Sequence, residues 1–241
     1  MSYNKTKTDP VLGKQIHQYL QAVGVETPVN DERIKVDRKH KIGKIQGHFT
    51  QIMEIMGLDL EDDSLVETPN RVAKMLCNET MWGLDWEAFP KCTVVENKMR
   101  YDEMVIERNI TVQSNCEHHF LPIVGYATIA YVPKDKVLGL SKLNRVVEYF
   151  AKRPQIQERL TEQVYHALSY ILYGPQTNPE NFHDAPIAVV IEGKHLCVSS
   201  RGVEDVTSST ITSKLGGNFK TDTALRAEFM KFVPLHDQSM I

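Results

Sequence analysis

The chain has 241 residues, 41% of them hydrophobic and 24% charged, with a formal net charge of −3. That suffices for the core of one large domain, or a small one joined to a larger, and excludes a general basic field for nucleic acid, so an anionic substrate must be met by a local cluster of cations. The polar start MSYNKTKTDP lacks the apolar centre of a signal peptide and no run approaches the ~18 apolar residues of a membrane span, so a cytoplasmic protein with neither nucleic-acid nor membrane partners is expected.

Residues 1–90 read as a helical region. Pro10 opens a segment with Leu12, Ile16, Tyr19, Leu20 and Val23 at helical spacing, and Gly24 closes it. Residues 26–31 read as a linker around Pro28. A second helix carries Ile42, Ile45, Phe49, Ile52, Met53 and Met56 and stops at Gly57. A third starts at Thr68-Pro69 and runs through Val72, Met75 and Leu76 to Gly83. The Met and Ile stripes read as packing surface.

Residues 91–241 change character. Strands are expected at 93–99 and 104–114, with Ile106, Ile110 and Val112 on one side, and at 120–132, with Gly125 as a bulge. Ser141 reads as the cap of a helix with Leu143, Val146, Val147 and Phe150 inward, and Pro154 as the start of the next, which Gly174 ends. Residues 175–186 form a polar loop. Strands are expected at 187–192, leading to His195 and Cys197, and at 206–214. A break at Gly216-Gly217 precedes a final helix over 222–232. The order strand–strand–helix–helix–strand–strand argues for an α+β fold with an antiparallel sheet and helices on one face.

Two stretches carry the chemistry. Cys116-Glu117-His118-His119 packs a thiol, a carboxylate and two imidazoles into the turn between two strands, and His195-Leu196-Cys197 adds another imidazole and thiol. In a turn, the C-x-x-H spacing lets Cys116 and His119 converge on one ion. In an extended strand, His195 and Cys197 would share a face. Thiolate and imidazole suit zinc, with three protein ligands making a catalytic site and four a closed structural one. Spacing alone does not choose among five candidates. Cys116, His119 and Cys197 form a natural trio that leaves His118 and His195 free to move protons. A Cys116–Cys197 disulfide, a structural zinc staple and two unrelated stretches are the alternatives. Cys77 and Cys92 have no nearby Cys or His partner and read as small buried hydrophobes. A nucleobase deaminase would carry a C-x-x-C that this chain lacks. A zinc-stapled purine-binding module is the non-enzymatic rival.

Lys142 and Arg145 lie three apart at a helix start beside Ser141, which makes an anion site or a solvated helix end; Arg201 could add charge on the metal side. Glu158 sits near the start of the next helix, where a carboxylate also favours the helix dipole.

The motifs CEHHF at 116–120, GLSKLNRVVEYFAKRPQIQERLT at 139–161 and HLCVSSRGVEDVTSST at 195–210, with ETPNRVAKM at 67–75 and SKLGGNF at 213–219, together resemble the GTP cyclohydrolase I family. The resemblance runs from about residue 40 to the final helix, and it is specific through the combination and order of the motifs. It implies a tunnelling fold, a homodecamer of two pentameric rings, and conversion of GTP and water to formate and 7,8-dihydroneopterin triphosphate, the first step towards folate or related pterins. It also implies Zn2+ held by Cys116, His119 and Cys197, with His195 and His118 as the proton-transfer residues. Ser141, Lys142, Arg145 and Arg201 resemble the triphosphate contacts, with Arg71 reaching in from another subunit. Gln157 and Glu158 resemble the pair that recognises guanine.

Overall fold

A computed structural model describes residues 7–175 and 184–233. The architecture is α+β: an antiparallel sheet backed by helices, preceded by N-terminal helices. Helix α1 (Pro10–Ala22) is capped by the Asp9 carboxylate, which accepts from Leu12 N, and turns Ile16 and Leu20 into the core. A short α2 (Asp31–Ile34), capped by Asn30, occupies the end of the expected linker. Helix α3 (Arg38–Ile55) packs against α4 (Thr68–Met75) and leaves Ile52, Ile55 and Met56 exposed. The third helix does not run unbroken to Gly83. It loosens into a π-helical turn at Leu76–Thr80 and then 3-10 turns at Trp82–Leu84 and Trp86–Ala88.

The strands are β1 (Val94–Glu96), β2 (Val105–Cys116), β3 (Pro122–Tyr131), β4 (Lys136–Leu138), β5 (Pro154–Gln155), β6 (Ile187–His195) and β7 (Thr210–Leu215). The main sheet has the order β5-β2-β3-β6-β7, antiparallel except for β5, which runs parallel to β2; β1 and β4 form a separate pair. Helices α5 (Leu140–Ala151) and α6 (Gln157–Tyr173) cover one face. Between them and the sheet lies the main core, where Ile110, Val112, Val146, Leu160, Val164, Val189 and Ile191 meet. The short α8 (Asn218–Thr221) and α9 (Thr223–Phe232) bring Phe219 and Phe229 to a smaller cluster with Ala130, Ala188 and Val190. These side chains alternate with the main-core residues along β3 and β6, so they lie on the opposite face.

Several expectations need correcting. The bulge is not at Gly125. The register slips between Glu107 and Ile110, where Arg108 and Asn109 of β2 stand against the single Thr128 of β3, with Asn109 at φ 57°. The extra residue reverses the in–out alternation, so Ile106 joins the smaller cluster while Ile110 and Val112 face the main core. Gly125 is instead needed because β6 runs so close: a Cβ there would lie 1.9 Å from Glu192 O. The residue before α5 is Gly139, not Ser141, which is exposed within the first turn. Pro154 does not begin α6; with Gln155 it forms β5, and the helix starts at Gln157 and ends at Gly174 (φ 85°), as expected. The last strand starts at Thr210 rather than 206. Of the 175–186 loop, 176–183 lie outside the described residues.

A buried cation joins these parts. Arg153 lies 2.6 Å from Glu26 Oε1 through Nη1, donates from Nε to Gly83 O at 2.7 Å, and rests 4.7 and 4.8 Å from the rings of Tyr149 and Phe150. Burial pushes the Glu26 carboxyl up, but Arg153, the His17 hydrogen bond and the Thr27 amide outweigh it, and the net pKa is lowered. A carboxyl depressed on folding stabilises above its unfolded pKa of about 4.3 and loses that contribution as pH falls through the folded value. Glu26→Gln should therefore cost about 3 kcal/mol at pH 7, because it strands Arg153, and should show a shallower loss of stability below about pH 4.3 than the parent. Urea unfolding across pH 2–7 measures both; parallel curves for the two proteins would rule the linkage out.

Candidate active site

The main-core face of the sheet delivers both halves of the cluster. Ser114, Ile123 and His195 stand in one row across β2, β3 and β6, and Cys116 follows two residues beyond Ser114 on the same face. After Cys116 the chain makes one tight turn. Phe120 N donates to Cys116 O at 2.9 Å, Cys116 N donates to Leu121 O at 2.8 Å, and Phe120 closes the turn at φ 55°. A left-handed Phe is unusual for a bulky residue. The turn brings His119 back to Cys116, with His119 Nδ1 3.9 Å from Cys116 Sγ.

The other half arrives differently from the expected extended strand. Strand β6 ends at His195, and Cys197 lies on a single helical turn, α7 (Leu196–Ser199). Ligand atoms of Cys116, His119 and Cys197 nevertheless all lie within 4.8 Å of one another. Cys116 is buried, Cys197 half-buried and His119 exposed, so the cluster is closed on the protein side and open on the other. Both thiols are free. Burial, and then the adjoining Cys116, push the Cys197 thiol above its ordinary value. A divalent cation would reverse that by stabilising thiolate.

His195 is half-buried, and burial holds its pKa below the ordinary value, opposed by the nearby Glu158 carboxylate. Its Nε2 lies 2.8 Å from Gln157 Oε1. His118 is on the outside of the turn, its side chain 65% exposed, with Nδ1 3.7 Å from Cys116 Sγ and Nε2 3.9 Å from Glu117 Oε1. Glu117, which the sequence left without a role, pairs with Arg159 at 2.5 Å. Arg201 Nη1 lies 2.8 Å from His119 Nε2, so this cation belongs to the cluster's open side. A groove of about 580 Å³ runs past the turn, lined by Val29, Ile34, Lys41, His118, Phe120 and Pro154 among others.

The structure therefore brings together Cys116, His118, His119, Gln157, Glu158, His195, Cys197 and Arg201. It does not bring the basic helix start to them within one chain. Asn144, beside Arg145, donates to Glu107 Oε1 at 3.2 Å, and Leu138 N donates to Tyr131 OH at 3.1 Å. Ser141, Lys142 and Arg145 thus lie by Glu107 near the start of β2, nine residues from Cys116, or roughly 25–30 Å of extended strand away. Arg71 is exposed on α4, which packs mainly on α3. Sequence reading missed Arg159. Its signal was its place directly after Glu158 in a motif already singled out.

The model of the family described as GTP cyclohydrolase I matches residues 45–234. The chain is 50% identical over 222 residues to GTP cyclohydrolase 1 of Klebsiella pneumoniae, covering 92% of this chain and 96% of that protein. It is 50% identical to that of Erwinia tasmaniensis over 90% and 94% of the two chains, and 49% identical to that of Salmonella arizonae over 94% and 99%. The chain belongs to the GTP cyclohydrolase I family.

The left-handed Phe120 gives a direct test. Phe120→Gly should keep or raise the unfolding temperature, since glycine takes this backbone conformation without strain, whereas Phe120→Val should destabilise by about 1–2 kcal/mol. Thermal unfolding of the pair decides; a glycine variant far less stable than the valine variant would show that side-chain contacts, not backbone conformation, dominate there.

Proposed function

We propose that this chain hydrolyses GTP to formate and 7,8-dihydroneopterin triphosphate, the first step of tetrahydrofolate or pterin biosynthesis, in a zinc-dependent reaction. The observation that carries this reading is the convergence of Cys116, His119 and Cys197 with His195 and Glu158 beside them. The donor set fits the metal: two sulfurs and one imidazole are ligands zinc prefers, and three protein ligands with an open side are the pattern of a catalytic site. Zinc held there supplies Lewis acidity, bringing the pKa of coordinated water towards about 7.

The chain's own residues do the rest. Guanine C8 becomes much more electrophilic when N7 carries a proton, and His195, beside the cluster, gives N7 that proton. His118, on the exposed side of the turn, moves the second proton as the imidazole ring opens. Glu158 is exposed near His195 and accepts from guanine N1–H and the exocyclic amine, two adjacent donors that adenine lacks on that edge. Arg201 at the open side meets the triphosphate. Ser141, Lys142 and Arg145 bind the same triphosphate from a neighbouring copy, since they lie too far along the sheet to serve their own chain's cluster, and Arg71 comes from another copy again. A chain that carries its metal cluster at one end of β2 and its anion site at the other supports a homo-oligomer built by repeating one contact, and we read it as the decamer of two pentameric rings. Among the described residues no helix is long and apolar enough to cross a membrane, and we place the enzyme in the cytoplasm.

Purified protein incubated with GTP should release formate and, after oxidation, a fluorescent pterin. Cys116→Ser or Cys197→Ser should lower zinc content and abolish formate release; full turnover in a zinc-depleted mutant would overturn the mechanism. Dialysis against a chelator should leave the protein folded and inactive, whereas unfolding would mark the metal as a structural staple. Glu158→Ala should raise KM for GTP about tenfold or more with little change in unfolding temperature; an unchanged KM would remove Glu158 from guanine recognition.

A further inference from the structure

The first turn of α6 carries Gln157, Glu158 and Arg159, and successive helical residues point about 100° apart. Glu158 is exposed. Its two neighbours are committed elsewhere, one to each half of the metal cluster.

Gln157 is 2% exposed. Its Nε2 lies 3.0 Å from Ile191 O, 2.8 Å from Thr210 O and 3.1 Å from Thr212 Oγ1. Backbone carbonyls only accept, so the amide nitrogen must face them and Oε1 must face His195 Nε2, 2.8 Å away. An amide oxygen also only accepts. His195 Nε2 therefore carries a hydrogen, and Nδ1 is the ring atom left to exchange a proton with a substrate. The backbone makes room for this arrangement: a Cβ on Gly193 would lie 2.6 Å from Gln157 Oε1.

Arg159 faces the other way. Its Nη1 and Nη2 lie 2.5 and 3.5 Å from the two oxygens of Glu117, the residue between Cys116 and His118. Glu117 N also donates to Gln155 O at 3.0 Å, just ahead of the same helix. A forked guanidinium–carboxylate pair fixes orientation as well as distance. It ties the Cys116–His119 turn to the helix that carries Glu158.

We propose that Gln157 and Arg159 are positioning residues, Gln157 holding His195 with Nδ1 towards the substrate and Arg159 holding the Cys116–His119 turn through Glu117, so that Glu158 alone of the three touches guanine. This replaces the guanine contact expected of Gln157, and it rests on the GTP reading above. Groups that orient ligands and neighbouring imidazoles commonly change affinity or rate by 10–100-fold when removed.

The test separates positioning from binding. Gln157→Ala should lower kcat for formate release about 10–100-fold with KM for GTP within about twofold, and Gly193→Ala, which displaces the same amide by crowding, should show the same split. A raised KM with kcat preserved would put Gln157 on the substrate and overturn its assignment. Nitrogen NMR of His195 in metal-free protein should report a single Nε2–H tautomer in the parent and a mixture in Gln157→Ala; a mixture in both would also overturn it. Arg159→Leu should weaken zinc binding in a chelator competition about tenfold or more, and Arg159→Lys should recover part of it. Unchanged zinc affinity together with unchanged kcat in Arg159→Leu would remove that arm. If Arg159→Leu does not fold, Glu117→Gln is read in the same way. Failure of the parent protein to release formate would sink the GTP reading, while the tautomer and zinc measurements would still decide the positioning one.

Discussion

The structure depends on one buried cation. Arg153 sits between α5 and β5 with its guanidinium held by Glu26, Gly83 O and two aromatic faces. Each partner comes from a different part of the chain: the segment after α1, the turn before β1 and the end of α5. A buried guanidinium without its carboxylate is strongly destabilising, so the pair couples the folding of these parts. Arg153 is also the residue before β5. Its own carbonyl accepts from Ser114 Oγ at 3.3 Å, and β5 then pairs with Asn115 and Cys116. The ion pair that closes the core therefore also sets the edge along which Cys116, the first residue of the Cys-His-Cys cluster, lies.

From there the site is assembled by the sheet. Strands β2, β3 and β6 place Ser114, Ile123 and His195 in one row, and the two non-strand pieces, the turn at 117–120 and the single helical turn at 196–199, fold their thiol and imidazole side chains over it. Regular structure fixes the direction of approach, and irregular backbone closes the last few ångströms. Charged groups stay on the solvent side of this assembly, Arg201 against His119 and the exposed Glu158 near His195.

The main helices, the end signals at Pro10 and Gly174, and the alternation of strands and helices were legible because local residue pattern decides them. The trio Cys116, His119 and Cys197 was legible as a set because few residue types make good zinc ligands. What could not be read is long-range. The bulge between Glu107 and Ile110 depends on how two strands pair, and neither Arg108 nor Asn109 announces it. The strand β5 is two residues long and exists only because β2 lies beside it. The partnership of Glu117 with Arg159 spans 42 positions, and the separation of Lys142 and Arg145 from Cys116 follows from the direction in which α5 runs back along the sheet. Periodicity carries none of these.

The bulge has a consequence for how this chain can vary. Upstream of it, Ile106 serves one face of the sheet; downstream, Ile110, Val112, Ser114 and Cys116 serve the other. Whether the thiol of Cys116 points into the site is thus a question of odd and even, decided some seven residues earlier. Substitutions around Asn109 leave that parity intact. The loss of a single residue there would invert it, turning the Cys116 end of β2 inside out while leaving every side chain of the cluster present in the sequence. The motif at 116–120 and the count of residues leading to it therefore act as one unit in this chain.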